Sequence, residues 1–139
     1  MQVCGIVAEY NPFHTGHAFH IQQAREKSGC DVILAVMSGD FVQRGEPAVE
    51  DKISRAVTAV RNGCDAVINL PYIYSTQSAS VFAHGAVSLL KLTGITHLCF
   101  GSECGNLENL LDIASTPVNP DHLHVSMDSG MSFPKAYSL

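Results

Sequence analysis

The residues in this chain with the clearest capacity for chemistry are His14 and His17, set three positions apart in Glu9-Tyr10-Asn11-Pro12-Phe13-His14-Thr15-Gly16-His17. If Thr15 and Gly16 open a helix, the two imidazoles lie about one turn apart and can reach the same ligand oxygen. A neutral imidazole donates one hydrogen bond and a protonated one adds charge. The pair therefore suits stabilisation of the negative charge that grows on a phosphate during displacement. A helix N-terminus contributes unpaired backbone N–H groups and the positive end of the helix dipole, and Gly16 lets the backbone come close. The same spacing also fits a loop histidine at 14, a first-turn capping group at 17 and a surface histidine at 20, or a shared metal ion. Spacing alone leaves these readings open.

The elements that must position this pair are legible on either side of it. Val3-Cys4-Gly5-Ile6-Val7-Ala8 is a short apolar run of the kind that fits a strand buried on both faces. Ala18, Ile21, Gln22, Ala24 and Arg25 continue at helical spacing, and Ser28-Gly29 ends the run with a glycine suited to helix termination. The histidines thus fall at the carboxyl end of a first parallel strand, where open α/β sheets hold their ligands.

The alternation then repeats. Residues 31–37 read as a second strand, followed by a Ser38-Gly39-Asp40 turn. Phe41, Gln43 and Arg44 come next, and all can face the crevice of His14. Arg44 suits a phosphate or carboxylate, or a surface pair with Glu46; Phe41 equally suits the core. Residues 50–62 predict a helix with Ile53, Ala56, Val57 and Val60 on its apolar face, and with Lys52 and Arg55 sharing a solvated side. Residues 65–70 predict a third strand, stopped by Pro71. Residues 72–77 read as a loop whose Tyr72 and Tyr74 suit either stacking on a base or amphipathic packing. A helix over 78–93, with His84 as a packing or surface residue, leads to a fourth strand at 96–100 and to Gly101. Leu107, Leu110, Leu111 and Ile113 mark a short helix before Pro117, and residues 118–139 show no strong period. The expected fold is an α/β, Rossmann-like open sandwich with a mainly parallel sheet.

Composition narrows the class. The chain has 139 residues, enough for one domain with a sizeable core, and its 46% hydrophobic and 15% charged residues exclude disorder. No apolar run reaches membrane-spanning length and the N-terminus has no leader pattern, so a cytoplasmic protein without a membrane partner is expected. A formal charge of −5 matches a nucleic-acid backbone poorly. DNA is not expected as a partner, and an RNA partner needs a local basic patch or more protein. The five cysteines form no CxxC pair and read as reduced, mostly buried thiols. Cys99 and Cys104 flank the loop after the fourth strand with too few further ligands for zinc, so no metal centre is assigned.

His14-Thr15-Gly16-His17 after a first strand resembles the His-x-Gly-His signature of the nucleotidyltransferase superfamily. Three longer stretches resemble the bacterial tRNA(Met) cytidine acetate ligase family: 8–14 (AEYNPFH), 37–48 (MSGDFVQRGEPA) and 99–103 (CFGSE). The resemblance implies ATP as substrate, with His14 and His17 as the catalytic pair. It implies an ATP-binding segment of Val7, Ala8, Glu9, Tyr10, Asn11, Pro12, Phe13, His14, Thr15, Gly16, His17, Ala18, Phe19 and His20, with a further contact at Gly101. It implies that acetate is activated as acetyladenylate and that the acetyl group passes to the wobble cytidine of elongator tRNA(Met), giving N4-acetylcytidine. Magnesium accompanies the triphosphate, with no carboxylate assigned to it. Related nucleotidyltransferases also bring a basic residue of the second helix to the crevice, which draws attention to Lys52 and Arg55.

Residues 130–136 (GMSFPKA) resemble a segment well before the family's end, so 1–139 reads as a nucleotidyltransferase-like domain truncated on its C-terminal side. The superfamily's second phosphate-binding motif is not found in it. Two alternatives stand beside the ligase. One is a different nucleotidyltransferase acting on a small phosphorylated substrate; the other is a nucleotide-binding domain without catalysis.

Overall fold

The computed structural model describes residues 1–102, 105–116 and 128–130. The chain divides into two compact units, Met1–Gly101 and Ser102–Leu139. Expectations for Glu103, Cys104 and residues 131–139 lie outside the described residues.

In the first unit, strands β1 (Val3–Ala8) and β2 (Val32–Ser38) are the continuous apolar runs of the sequence. Both are central, which is why they lack the polar alternation of a half-solvated strand. β3 (Ala66–Leu70) pairs with β2 and β4 (His97–Cys99) with β1, all parallel, in the order β3-β2-β1-β4. Alternate residues along the central strands feed two cores. Cys4, Ile6, Ile33, Ala35 and Met37 pack with Ile21 and Ala24 of α1 (Thr15–Ser28) and Ala59 of α2 (Lys52–Arg61). Leu34 and Val36 pack with Ala86 and Leu90 of α4 (Ala79–Leu92). Helices thus cover both faces, as the α/β reading requires. Among the described residues, no helix is long and apolar enough to cross a membrane.

The chain steps from β1 to β2 to β3 in one direction, then returns to place β4 on the other side of β1. The order reverses between β1 and β4, and the crevice outside their carboxyl ends is where such sheets bind ligands.

Three local expectations change. Residues 72–77 are not all loop, because Tyr72–Ser75 forms a one-turn helix, α3, whose buried Ser75 hydroxyl donates to Phe41 O at 2.7 Å. The fourth strand is shorter than 96–100, with Thr96 just before it donating its N–H to Val3 O at 2.9 Å and accepting from Val3 N through Oγ1 at 3.0 Å. The third change concerns the face of α2. Ile53, Val57 and Val60 are exposed at 65%, 41% and 46%, whereas Arg55 is fully buried beside Ala59. The inward side of this helix combines the arginine with the small residues Ala56 and Ala59, which pack against the core.

Cys4, Cys30 and Cys64 are buried free thiols and Cys99 is half-buried, in agreement with the reduced reading; Cys104 is outside the described residues. In the second unit, α5 (Leu107–Ser115) is capped by the Asn106 side chain, which accepts from Asn109 N at 3.2 Å.

Candidate functional site

The chain leaves β1 through Glu9 and makes a tight turn at Tyr10, a non-glycine residue held at φ 50° with 1% exposure. A left-handed tyrosine persists only where its surroundings over-determine it. Here its ring packs 5.0 Å from Phe13 and 5.0 Å from His17, and its hydroxyl lies 4.0 Å from Cys64 Sγ. Two further side chains tie this turn to the loop between β2 and α2. Glu9 Oε1 accepts from Gln43 N at 2.7 Å, and Asn11 Oδ1 accepts from Val49 N at 2.7 Å.

Beneath both loops lies Arg55. Its Nη1 donates to Glu9 O at 2.6 Å and Ser38 O at 3.2 Å, its Nε to Glu50 O at 3.0 Å, and its Nη2 to Gly39 O. Burial pulls its pKa down, opposed by Asp40, Glu9, Asp51 and Glu50 nearby. The planar fork of the guanidinium can serve carbonyls from three chain segments at once, which a lysine cannot do. The expected solvated side of α2 is therefore corrected: Arg55 is a clamp under the site, and Lys52 pairs with Asp40 at 2.9 Å.

The two histidines open α1 as a capping box. His14 is the N-cap, its Nδ1 accepting from Gly16 N at 3.1 Å, and His17 at N3 returns the bond, its Nδ1 accepting from His14 N at 3.2 Å. The box is the form Ser/Thr with Glu usually takes, built here from two imidazoles. Their rings stack at 3.6 Å and 25°. An Nδ1 that accepts carries no proton, so each neutral ring holds its proton on Nε2. Protonation of either ring would break its half of the box. Burial lowers the His17 pKa from its ordinary 6.5, and His14 and His20 lower it further by repulsion.

That shift has a measurable consequence. Between the folded and unfolded pKa values of His17 the unfolded chain binds a proton that the folded chain refuses, so stability rises with pH across that window. The contribution is complete above about pH 6.5 and is lost as pH falls through the depressed folded value; burial lowers His20 too, with the same sign. Thermal melts from pH 8 to about pH 5 should therefore show a falling melting temperature below about 6.5. His17→Gln should flatten that fall; an equally steep fall would contradict the assignment.

The pair faces a cleft of about 590 Å³. From the predicted segment, Val7, Ala8, Glu9, Tyr10, Asn11, Pro12, His14 and His17 line it. The other predicted residues sit elsewhere. Phe13 packs against the Tyr10 and His17 rings. Gly16 backs the cap, where an added Cβ would meet the His14 ring at 3.0 Å. Thr15, Ala18 and Phe19 line a separate cleft with Asn62 and Gly63. His20 is half-buried, with Nε2 3.6 Å from Cys99 Sγ. Gly101 follows β4, exposed and with open space where a Cβ would stand.

Four cleft residues come from other elements: Val42, Arg44 and Glu46 from the β2–α2 loop, and Phe82 from the first turn of α4. Arg44 and Glu46 are exposed, and among the described residues neither is in an ion pair. Gln43 and Phe41 turn away, Gln43 Nε2 donating to Gln77 O at 2.5 Å and Phe41 meeting Tyr72 edge to face. Tyr74 lies against Gly85, where no Cβ could fit beside its ring. Phe82 had a readable signal, since it shares the inward face of α4 with Ala86 and Leu89. Val42 and Glu46 had none, because their placement depends on the turn closed by Val42 N donating to Glu46 O at 2.9 Å. Among the described residues, no group of three or more His, Cys, Asp or Glu side chains is placed to hold a metal ion.

The fold agrees with comparisons to known proteins. Residues 1–139 match the family model described as HIGH Nucleotidyl Transferase. The tRNA(Met) cytidine acetate ligase of Caldicellulosiruptor bescii is 44% identical, the match covering 100% of this chain and 36% of that protein. The protein of the same name from Clostridium acetobutylicum is 49% identical, over 98% of this chain and 35% of the relative. The crystal structure of Thermotoga maritima TmcAL bound with alpha-thio ATP superposes with a TM-score of 0.85 at 48% identity, covering 99% of this chain and 35% of that one. The chain thus spans about a third of the length of the relatives it matches.

Proposed function

Because the chain belongs to the HIGH nucleotidyl transferase family, we propose that its cleft holds ATP for the adenylation of acetate, the first half of a tRNA(Met) cytidine acetate ligase reaction. The observation that carries this reading is the stacked His14–His17 pair at the N-terminus of α1, both Nδ1 atoms accepting from backbone N–H groups, which leaves the proton of each neutral ring on Nε2. The neighbouring structure with an ATP analogue, at 48% identity, supports the choice of nucleotide.

In the proposed step an acetate oxygen attacks the α-phosphorus and pyrophosphate leaves. Negative charge grows on the phosphate oxygens as it does so. Neutral, preorganised donors stabilise that charge without reorienting, and no covalent enzyme intermediate is required. Glu9 and Asn11 hold the β2–α2 loop over the cleft, which places Arg44 where it can meet phosphate or carboxylate. Magnesium enters with the triphosphate as its counter-ion. The acetyl group then passes from acetyladenylate to the N4 amine of the wobble cytidine of elongator tRNA(Met), releasing AMP. The remaining phosphate contacts and the main RNA surface are assigned to the part of such an enzyme that this chain does not span, and a cytoplasmic setting follows from the tRNA substrate. Acetate-dependent exchange of labelled pyrophosphate into ATP tests the reading.

A further inference from the structure

Beyond the nucleotide cleft, a second and smaller cavity of about 210 Å³ opens where β2 and β3 end, lined in part by Asp40, Phe41, Lys52, Asn69 and Tyr72. It is below the roughly 300 to 1,000 Å³ typical of pockets that enclose whole small molecules, and a single heterocycle is the natural size for it. Its chemistry is mixed in a specific way. Phe41 and Tyr72 meet edge to face, centroids 5.6 Å apart at 82°, and remain 40% and 65% exposed, so aromatic surface is available at the rim of the cavity. Asp40 and Lys52 set a carboxylate and an ammonium side by side at 2.9 Å. Both side chains remain about half exposed, so each keeps hydrogen-bonding capacity toward a third group.

We propose that this cavity receives an unstacked cytosine base of the RNA acceptor; the identity of the acceptor rests on the ligase reading given above. Single-stranded RNA is recognised by splaying bases onto aromatic rings and hydrogen-bonding their Watson–Crick edges. Cytosine presents an exocyclic amine next to ring acceptors. A carboxylate accepts from that amine, and an ammonium donates to the acceptors beside it. The loop that carries Asp40 and Phe41 continues directly into Val42, Arg44 and Glu46 of the nucleotide cleft, so one segment touches both sites.

The experiment uses the full reading frame that encodes this chain. Tyr72→Ala should leave acetate-dependent pyrophosphate exchange within about twofold of the parent, while the KM for an anticodon stem-loop RNA rises about tenfold or more. Tyr72→Phe keeps the ring and should restore that KM. In fluorescence anisotropy, the parent should bind the stem-loop with cytidine at the target position several-fold tighter than one with uridine, and Tyr72→Ala should erase the difference. An unchanged KM in Tyr72→Ala overturns the proposal. So does a parallel fall in exchange and acetylation, which would make Tyr72 a folding residue. If the parent itself shows no exchange, the ligase reading fails, and equal binding of the two stem-loops then overturns the pocket separately.

Discussion

Replacing His17 with alanine is expected to slow acetate-dependent exchange by about a hundredfold to a thousandfold, the scale seen when one donor to a developing oxyanion is removed. The same substitution also removes the N3 half of the capping box, because His14 N loses the Nδ1 acceptor now 3.2 Å away. Loss of a cap costs about 0.5 to 2 kcal/mol of stability, so His17→Ala mixes a catalytic effect with a structural one. His17→Glu separates them. Glutamate at N3 is the usual capping-box acceptor, so the melting temperature should return toward the parent. It supplies no donor and sets a negative charge against the phosphates, so exchange should stay at or below the alanine level. Recovery of exchange along with stability in His17→Glu would show that His17 acts only as a cap. Rates and melts measured on the same preparations decide between the two.

Replacing Arg55 with methionine is expected to be the most destabilising single change in the first unit. Methionine approximates the length of the side chain but donates nothing, so the carbonyls of Glu9, Ser38, Gly39 and Glu50 lose their shared partner. An unsatisfied buried polar group costs about 1 to 3 kcal/mol, and here four carbonyls lose a partner together. Domains of this size have only about 5 to 15 kcal/mol to lose. A lower urea midpoint with an unchanged slope, equivalent to a loss of about 3 kcal/mol or more, is the expected result. Arg55→Lys should recover little, since one ammonium cannot span carbonyls from three segments. A near-parental midpoint in either variant would mean that the clamp is not what joins the two loops.

The contrast between Arg55 and the histidines shows where local sequence stops informing. β1 and β2 were legible because a strand buried on both faces must be apolar throughout, and α1 because its caps at His14 and Gly29 are written within a few residues of its ends. The facing of the two imidazoles was legible for the same reason, although their reciprocal use of Nδ1, and hence the Nε2 proton, required coordinates. Arg55 was not legible. Its partners at positions 9, 38, 39 and 50 lie on three segments, and no periodicity encodes a bond that spans 46 positions. Of the apolar face predicted for the same helix, Ala56 packs against the core of the first unit while Ile53, Val57 and Val60 are exposed. The β2–α2 loop hides in a similar way, since its path over the cleft depends on Glu9 and Asn11, more than thirty residues upstream.

These two kinds of residue answer different questions about one site. Arg55, Glu9 and Asn11 decide whether the cleft has its shape, and their loss should appear in stability before it appears in chemistry. In the proposed adenylation, His14 and His17 supply the chemistry of the cleft. Both rings are held through Nδ1 by the backbone before any ligand arrives, and the proposed electrostatic catalysis draws on that preorganisation.

The most direct test of the central claim is exchange of labelled pyrophosphate into ATP, with and without acetate, using this chain alone and the full reading frame that encodes it. The account predicts exchange by the full frame that requires acetate and is abolished or nearly so in His17→Ala. Exchange that proceeds equally without acetate, or none from the full frame, would contradict it.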